Sequence, residues 1–147
     1  MKPIDVTDSS QTEAIAFEFD LPHPPAKVWR TLTDPALLAQ WLLPVTNLRL
    51  EPGAAFSLTA EPQPGWDGTV NCRVLHVEPQ RKLSYDWVVG ETLSTVVTFT
   101  LTPTQTGTHV LLVQSGFTPD QKRNFGGARY GWRMMGERFF DLLGRIS

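Results

Sequence analysis

Few side chains of this sequence stand where they could carry chemistry, and strand alternation aims two polar ones inward, Tyr85 and Gln114. Val110, Leu112 and Gln114 share one strand face, and Leu83, Tyr85 and Trp87 share another. A cavity behind these strands would therefore meet a phenol and a carboxamide. General acid or base work on a bound molecule needs only one or two such groups, yet a glutamine exchanges no proton near neutral pH, so Gln114 suits orientation of a ligand. The alternative for both residues is a satisfied polar group inside a packed core.

Other chemistries lack their parts. No GxSxG motif occurs, and Cys72 lies in an apolar alternating run without a basic neighbour, which argues against covalent catalysis. His23, His76 and His109 fall on a proline turn and on two strands, without the paired spacing of metal ligands. The segment NFGGARYG, Asn124 to Gly131, is expected to be a glycine-rich loop able to hinge; it contains neither GxGxxG nor a P-loop lysine, so phosphate binding is not assigned. The expectation is no catalytic residue, no metal and no cofactor.

Apolar groups are the stronger signal. Trp132, Met135, Phe139, Leu142 and Ile146 recur at helical spacing and form one face of a long C-terminal helix. Trp87, Trp132, Phe99, Met135 and Phe139 either border a space between that helix and a sheet or fill the grip and leave no pocket, and Met135 adapts to ligands of different shape. In PQPGW, Pro62 to Trp66, the tryptophan is either a lid over the space or a plug beneath the turn.

The elements that must position these groups are legible in outline. Ile15, Phe17, Phe19 and Leu21 alternate with Ala16, Glu18 and Asp20, giving a first strand over Ala14 to Leu21. The prolines of PHPPAKVW suit a first helical turn, with Val28, Trp29 and Leu32 on the buried side. Asp34-Pro35 starts a second short helix running through Trp41, and Pro44 ends it. Turn residues at Glu51 to Gly53, Glu61 to Gly68, Glu78 to Lys82, Gly90 to Thr92 and Pro103 to Gly107 divide the remainder into six strands. The fold class predicted is α+β: a seven-stranded curved antiparallel sheet wrapped on a long C-terminal helix, with two short helices after the first strand.

The chain of 147 residues has 41% hydrophobic and 19% charged residues and a net charge of −2, which suits one soluble domain and gives no electrostatic case for nucleic acid. The basic residues Lys122, Arg123, Arg129, Arg133, Arg138 and Arg145 are interrupted by Asp120, Glu137 and Asp141, as on a solvated helix face. A single cysteine permits no internal disulfide, and no signal region or membrane span is visible, so a cytoplasmic location without membrane contact is expected. Residues 1–12 are expected to be a flexible terminus and residues 13–147 one domain. Leu111 and Val113, on the other sheet face beside Thr98 and Thr100, could serve a homodimer contact.

Together these residues resemble a known family. FEFDLPHPPAKVWRTLTDPALLAQWL at the front, Gly53 ahead of a phenylalanine strand, GTVNCRVLHVEPQRKLSYDW with Gly68, Val74, Val77, Pro79, Leu83 and Trp87, then STVVTFTLTPTQTGTHVLLVQSGF and the Gly131-Trp132 pair, are similar to the START-like (SRPBCC) helix-grip superfamily. Within it they resemble the domain shared with the activator of Hsp90 ATPase homologue 1. The resemblance implies a helix-grip fold and a small hydrophobic or amphipathic ligand held between sheet and helix, without catalysis. It also admits a polyketide-cyclase-like enzyme using the same pocket, or an interaction module for an Hsp90-type chaperone. ATPase stimulation is not expected, because the co-chaperones carry it in an additional N-terminal domain and this chain begins almost directly at the first strand. The ligand-binding set that follows is Trp41, Phe56, Trp66, Val74, Tyr85, Trp87, Phe99, Gln114, Trp132, Met135 and Phe139.

Overall fold

The computed structural model describes residues 3–147. The seven strands predicted are present: β2 (Ala14–Leu21), β3 (Val45–Thr46), β4 (Ala55–Thr59), β5 (Thr69–Glu78), β6 (Lys82–Val89), β7 (Leu93–Pro103) and β8 (Thr108–Ser115), preceded by an additional β1 (Ile4–Asp5). They form one antiparallel sheet of order β1-β2-β8-β7-β6-β5-β4-β3. Its concave face is a set of rows fixed by register. Ile15 lies opposite Gln114, Gln114 opposite Val97, Val97 opposite Tyr85 and Tyr85 opposite Val74. All five are buried, because the period of two sends alternate residues of every strand to the same side.

A bulge in β5 between Val74 and His76 interrupts this alternation and leaves Leu75 and His76 both exposed. His76 therefore faces solvent, where its Nε2 pairs with Glu78. On the opposite sheet face, Thr98 and Thr100 lie across from Val113 and Leu111, all four partly exposed.

Two short helices cover a portion of the concave face. α1 (Pro25–Thr33) has proline in its first turn, where a missing N–H costs nothing, and buries Val28, Thr31 and Leu32. α2 (Pro35–Trp41) is capped by Asp34, whose carboxylate accepts the Ala36 N–H at 2.9 Å. The Trp41 indole N–H donates to the Thr31 carbonyl at 2.9 Å, which ties α2 to α1 through a fully enclosed donor.

α3 (Lys122–Arg145) crosses the sheet and begins earlier than the sequence predicts. Asn124 to Gly131 is helix, not a hinge loop. Thr118 and Gln121 form a capping box over the turn Pro119–Gln121, which feeds directly into the helix. Phe125 is buried edge-on against Phe117, with ring centroids 5.4 Å apart, and Ala128 packs one turn further on. Gly126, Gly127 and Gly131 of this segment cost roughly 1 kcal/mol each relative to alanine, and burial of Phe125 and Trp132 at about 2–3 kcal/mol apiece offsets them.

The start of the chain also differs from expectation. Residues 1 and 2 of the span expected to be flexible lie outside the described residues. Beyond them Ile4 and Asp5 pair with Glu18 and Phe17 of β2, and Val6 N–H donates to the Ala16 carbonyl at 2.9 Å. A two-residue strand has too little pattern to be visible in sequence, and its anchor is a distant one: Asp5 is bonded to Arg129 and Arg133 of α3.

Candidate functional site

Between the first half of α3 and the concave face lies a cleft of about 440 Å³. α3 contributes Asn124, Gly127, Ala128, Gly131, Trp132 and Met135. The sheet contributes Val70, Trp87, Val89, Leu93 and Gln114, and Leu43, Ala60 and Trp66 complete the wall. The space exists because positions 127, 128 and 131 bring the helix past the sheet with almost no side-chain volume. A Cβ added at Gly127 would meet nothing within 4 Å, and one at Gly131 only the Met135 methyl at 3.8 Å.

The eleven residues expected to hold a ligand divide into three groups. Trp66, Trp87, Gln114, Trp132 and Met135 border the cleft. Trp66 is held there by its own indole N–H, which donates to the Thr69 carbonyl at 2.9 Å, so it forms a partly exposed edge of the cleft. Trp41, Phe99 and Phe139 do not line it. They fill the grip instead, with Trp41 and Phe139 centroids 4.7 Å apart and Trp41 and Phe99 at 6.3 Å. Phe56, Val74 and Tyr85 lie round a separate void of about 10 Å³, no more than one water molecule's space.

The division has a physical origin. Periodicity identifies which face a residue occupies, whereas open space depends on which facing residues are small. The residues that sequence reasoning missed are the small ones, Ala60, Gly127, Ala128 and Gly131, with the aliphatic rim Leu43, Val70, Val89 and Leu93 and the exposed Asn124. Their signal was available: Gly127 and Gly131 stand four apart, on one helix face beside Trp132.

The buried end of the cleft carries its one ordered polar relay. Trp132 Nε1–H donates to Gln114 Oε1 at 2.7 Å, Gln114 Nε2–H donates to Thr95 Oγ1 at 2.9 Å, and the Thr95 hydroxyl donates to the Trp87 carbonyl at 2.9 Å. Gln114 is 1% exposed, and at that depth the relay engages its amide oxygen and one of its two amide hydrogens. None of the residues that line the cleft is titratable. Tyr85 does not line it, and burial, with a further contribution from Cys72, drives its pKa far above the ordinary phenol range, so it holds its proton. The Cys72 thiol is pushed up to about 12 by burial and then by the charge of Asp86, which leaves it a protonated core group. Among the described residues no cluster of His, Cys, Asp or Glu has the geometry of a metal site, and no helix is long and apolar enough to cross a membrane. A second groove, of about 510 Å³, lies at the end of α3 among Gln40, Arg138, Phe140, Asp141, Gly144 and Arg145, so charged side chains border it where none borders the cleft.

The fold has clear counterparts. Protein MLL2253 from Mesorhizobium loti is 42% identical, with a TM-score of 0.84 over 91% of this chain and 98% of its own. A Rhodobacter sphaeroides protein, Q3J4M4_RHOS4, has a TM-score of 0.76 at 21% identity over 99% of this chain and 100% of its own, and so shares the fold. DynU16, a protein of the dynemicin biosynthetic locus, does likewise at 24% identity and a TM-score of 0.75, over 90% of this chain and 47% of its own. No curated protein matches. The family model described as activator of Hsp90 ATPase homolog 1-like protein matches residues 22–144, which takes in both short helices, β3 to β8 and nearly all of α3. The chain belongs to the activator of Hsp90 ATPase homolog 1-like family.

Proposed function

We propose that this protein binds a small, largely apolar molecule in the cleft between α3 and the concave face of the sheet, without the need for a catalytic step. One observation carries the reading: an apolar cavity of about 440 Å³, within the size range of small-molecule sites, whose lining contains no titratable side chain and only one deeply buried polar one, Gln114. Such a lining holds a molecule by shape and contact, and offers a polar group on it a single defined place.

A cyclase-like activity in the same pocket would draw on Tyr85 and Gln114. Tyr85 borders a different void, and the Gln114 amide moves no proton, so the arrangement supports retention of a ligand over acid and base chemistry. The test is native mass spectrometry of the purified protein against its denatured mass. A retained small molecule that the Gly131→Phe variant no longer carries supports the reading. Retention that is indifferent to this cavity-filling change overturns it.

A further inference from the structure

The direction of the relay at the buried end determines what the cleft has to offer. An indole nitrogen is a donor only, so Trp132 must face Gln114 Oε1, and the carboxamide can have only one orientation. The single hydrogen of the Thr95 hydroxyl is given to the Trp87 carbonyl, so Thr95 Oγ1 must accept from Gln114 Nε2. One hydrogen of the Gln114 NH₂ group is thereby engaged and the second has no partner among the described residues. The Trp87 indole N–H also makes no hydrogen bond among the described residues, whereas that of Trp66 is already given to Thr69.

At the buried end the unmet polar capacity is thus donor capacity, whereas Asn124, on the exposed side, offers both a donor and an acceptor. A carbonyl oxygen with one bond made is common in protein interiors, but an orphaned buried N–H is rare, so the spare hydrogen of Gln114 is the stronger demand. No cation or anion lines the cleft. An ionised ligand would lose its hydration there without gaining a counter-charge, at a clear loss of affinity.

We propose that the cleft selects uncharged, largely apolar molecules that carry a carbonyl-type hydrogen-bond acceptor, placed at the buried end against Gln114. This rests on the reading of the cleft as the binding site and specifies the class of ligand. Ketones, esters, lactones and neutral amides meet the requirement. Pure hydrocarbons leave the amide hydrogen unmet, and carboxylates bring a charge that nothing in the lining offsets.

The experiment compares three probes of closely similar shape by titration at pH 7: 2-acetylnaphthalene, 2-isopropylnaphthalene and 2-naphthoate. The acetyl compound is expected to bind about tenfold tighter than the isopropyl compound, the usual size of one buried neutral hydrogen bond with an unmet donor as the alternative. It is expected to exceed the naphthoate by more than that. The carbonyl stretch of the bound acetyl probe moves to lower wavenumber, which a merely apolar contact would not cause. Gln114→Met equalises the acetyl and isopropyl probes; should that variant fail to fold, the probe series and the carbonyl stretch on the native protein still decide. Equal binding of acetyl and isopropyl probes, or tightest binding of naphthoate, overturns the selectivity while leaving the cleft as a binding site. Failure of all three to bind, or binding unchanged in Gly131→Phe, removes both.

Discussion

Asp5 of β1 accepts a hydrogen bond of 2.7 Å from Arg129 Nε and one of 2.9 Å from Arg133 Nη2, both to the same carboxylate oxygen, so the start of the chain is fastened to the helix that walls the cleft. The carboxylate is 12% exposed and the two arginines are half-exposed. Its position makes the link a strap across the sheet edge, since β1 is bonded to β2 on one side and to α3 through Asp5 on the other.

Asp5→Asn keeps the shape and removes the charge. The expected loss is about 1 kcal/mol at pH 7, the scale of an ion pair whose arginines remain in contact with water, or a fall in Tm of a few degrees. Burial raises the Asp5 pKa, but hydrogen bonds from Arg129 and Thr7, with the charge of Arg129, outweigh it and hold it below the ordinary value of 3.8. A depressed carboxyl pKa contributes stability above the unfolded value and loses it as pH falls through the folded one. The gap in Tm between native protein and variant is therefore full at pH 6 and closes below pH 3.8 as Asp5 protonates. A gap that stays constant down to pH 2 would show that the charge contributes nothing.

Glycines of α3 answer to two different demands, and alanine substitution separates them. At Gly136 an added Cβ would stand 3.1 Å from Phe19 Cζ and 3.2 Å from Pro3 Cγ. Phe19 has little room to withdraw, because it is buried edge-on to Phe139 at 5.4 Å. At Gly126 nothing lies within 4 Å. Gly126→Ala is expected to stabilise by up to about 1 kcal/mol through helix propensity, and Gly136→Ala to destabilise by about 1 kcal/mol as overpacking exceeds the same gain. Urea denaturation of the two variants checks the opposite signs; a stabilised Gly136→Ala would mean that Phe19 yields freely.

These positions also show where the sequence stops being informative. The rows of the sheet are readable because alternation is a local property: Ile15, Phe17 and Phe19 declare their face without knowledge of any partner. The beginning of α3 misleads because local propensity at Gly126, Gly127 and Gly131 argues for a loop, and the packing of Phe125 on Phe117 that overrides it is tertiary. Thr118 and Gln121, at capping-box spacing, are the local clue. The Asp5 link joins residues far apart in the chain with no pattern at either end. Inward alternation leads to the helix and sheet face that enclose the cleft, but it also draws in Trp41, Phe99 and Phe139, since a list of inward aromatics cannot say which of them touch each other and which face open space.

Tryptophan substitutions put that distinction to a direct test. Trp41 is 2% exposed, gives its N–H to Thr31 and stands against both Phe139 and Phe99, so its removal opens a cavity in the middle of the core. Trp41→Ala is expected to cost about 3–5 kcal/mol, as for other buried large-to-small changes, and to lower Tm by roughly 10 °C or more. Trp66 lies at the partly exposed edge of the cleft, so Trp66→Ala should cost about 1 kcal/mol while weakening the binding of an apolar probe severalfold. Trp41→Phe, which keeps most of the volume, should retain probe binding. Thermal melts and probe titrations on the same three proteins decide the matter. If Trp41→Phe abolishes binding while Trp66→Ala leaves it intact, the ligand occupies the grip near α2 and the cleft beneath Gly131 is not the site.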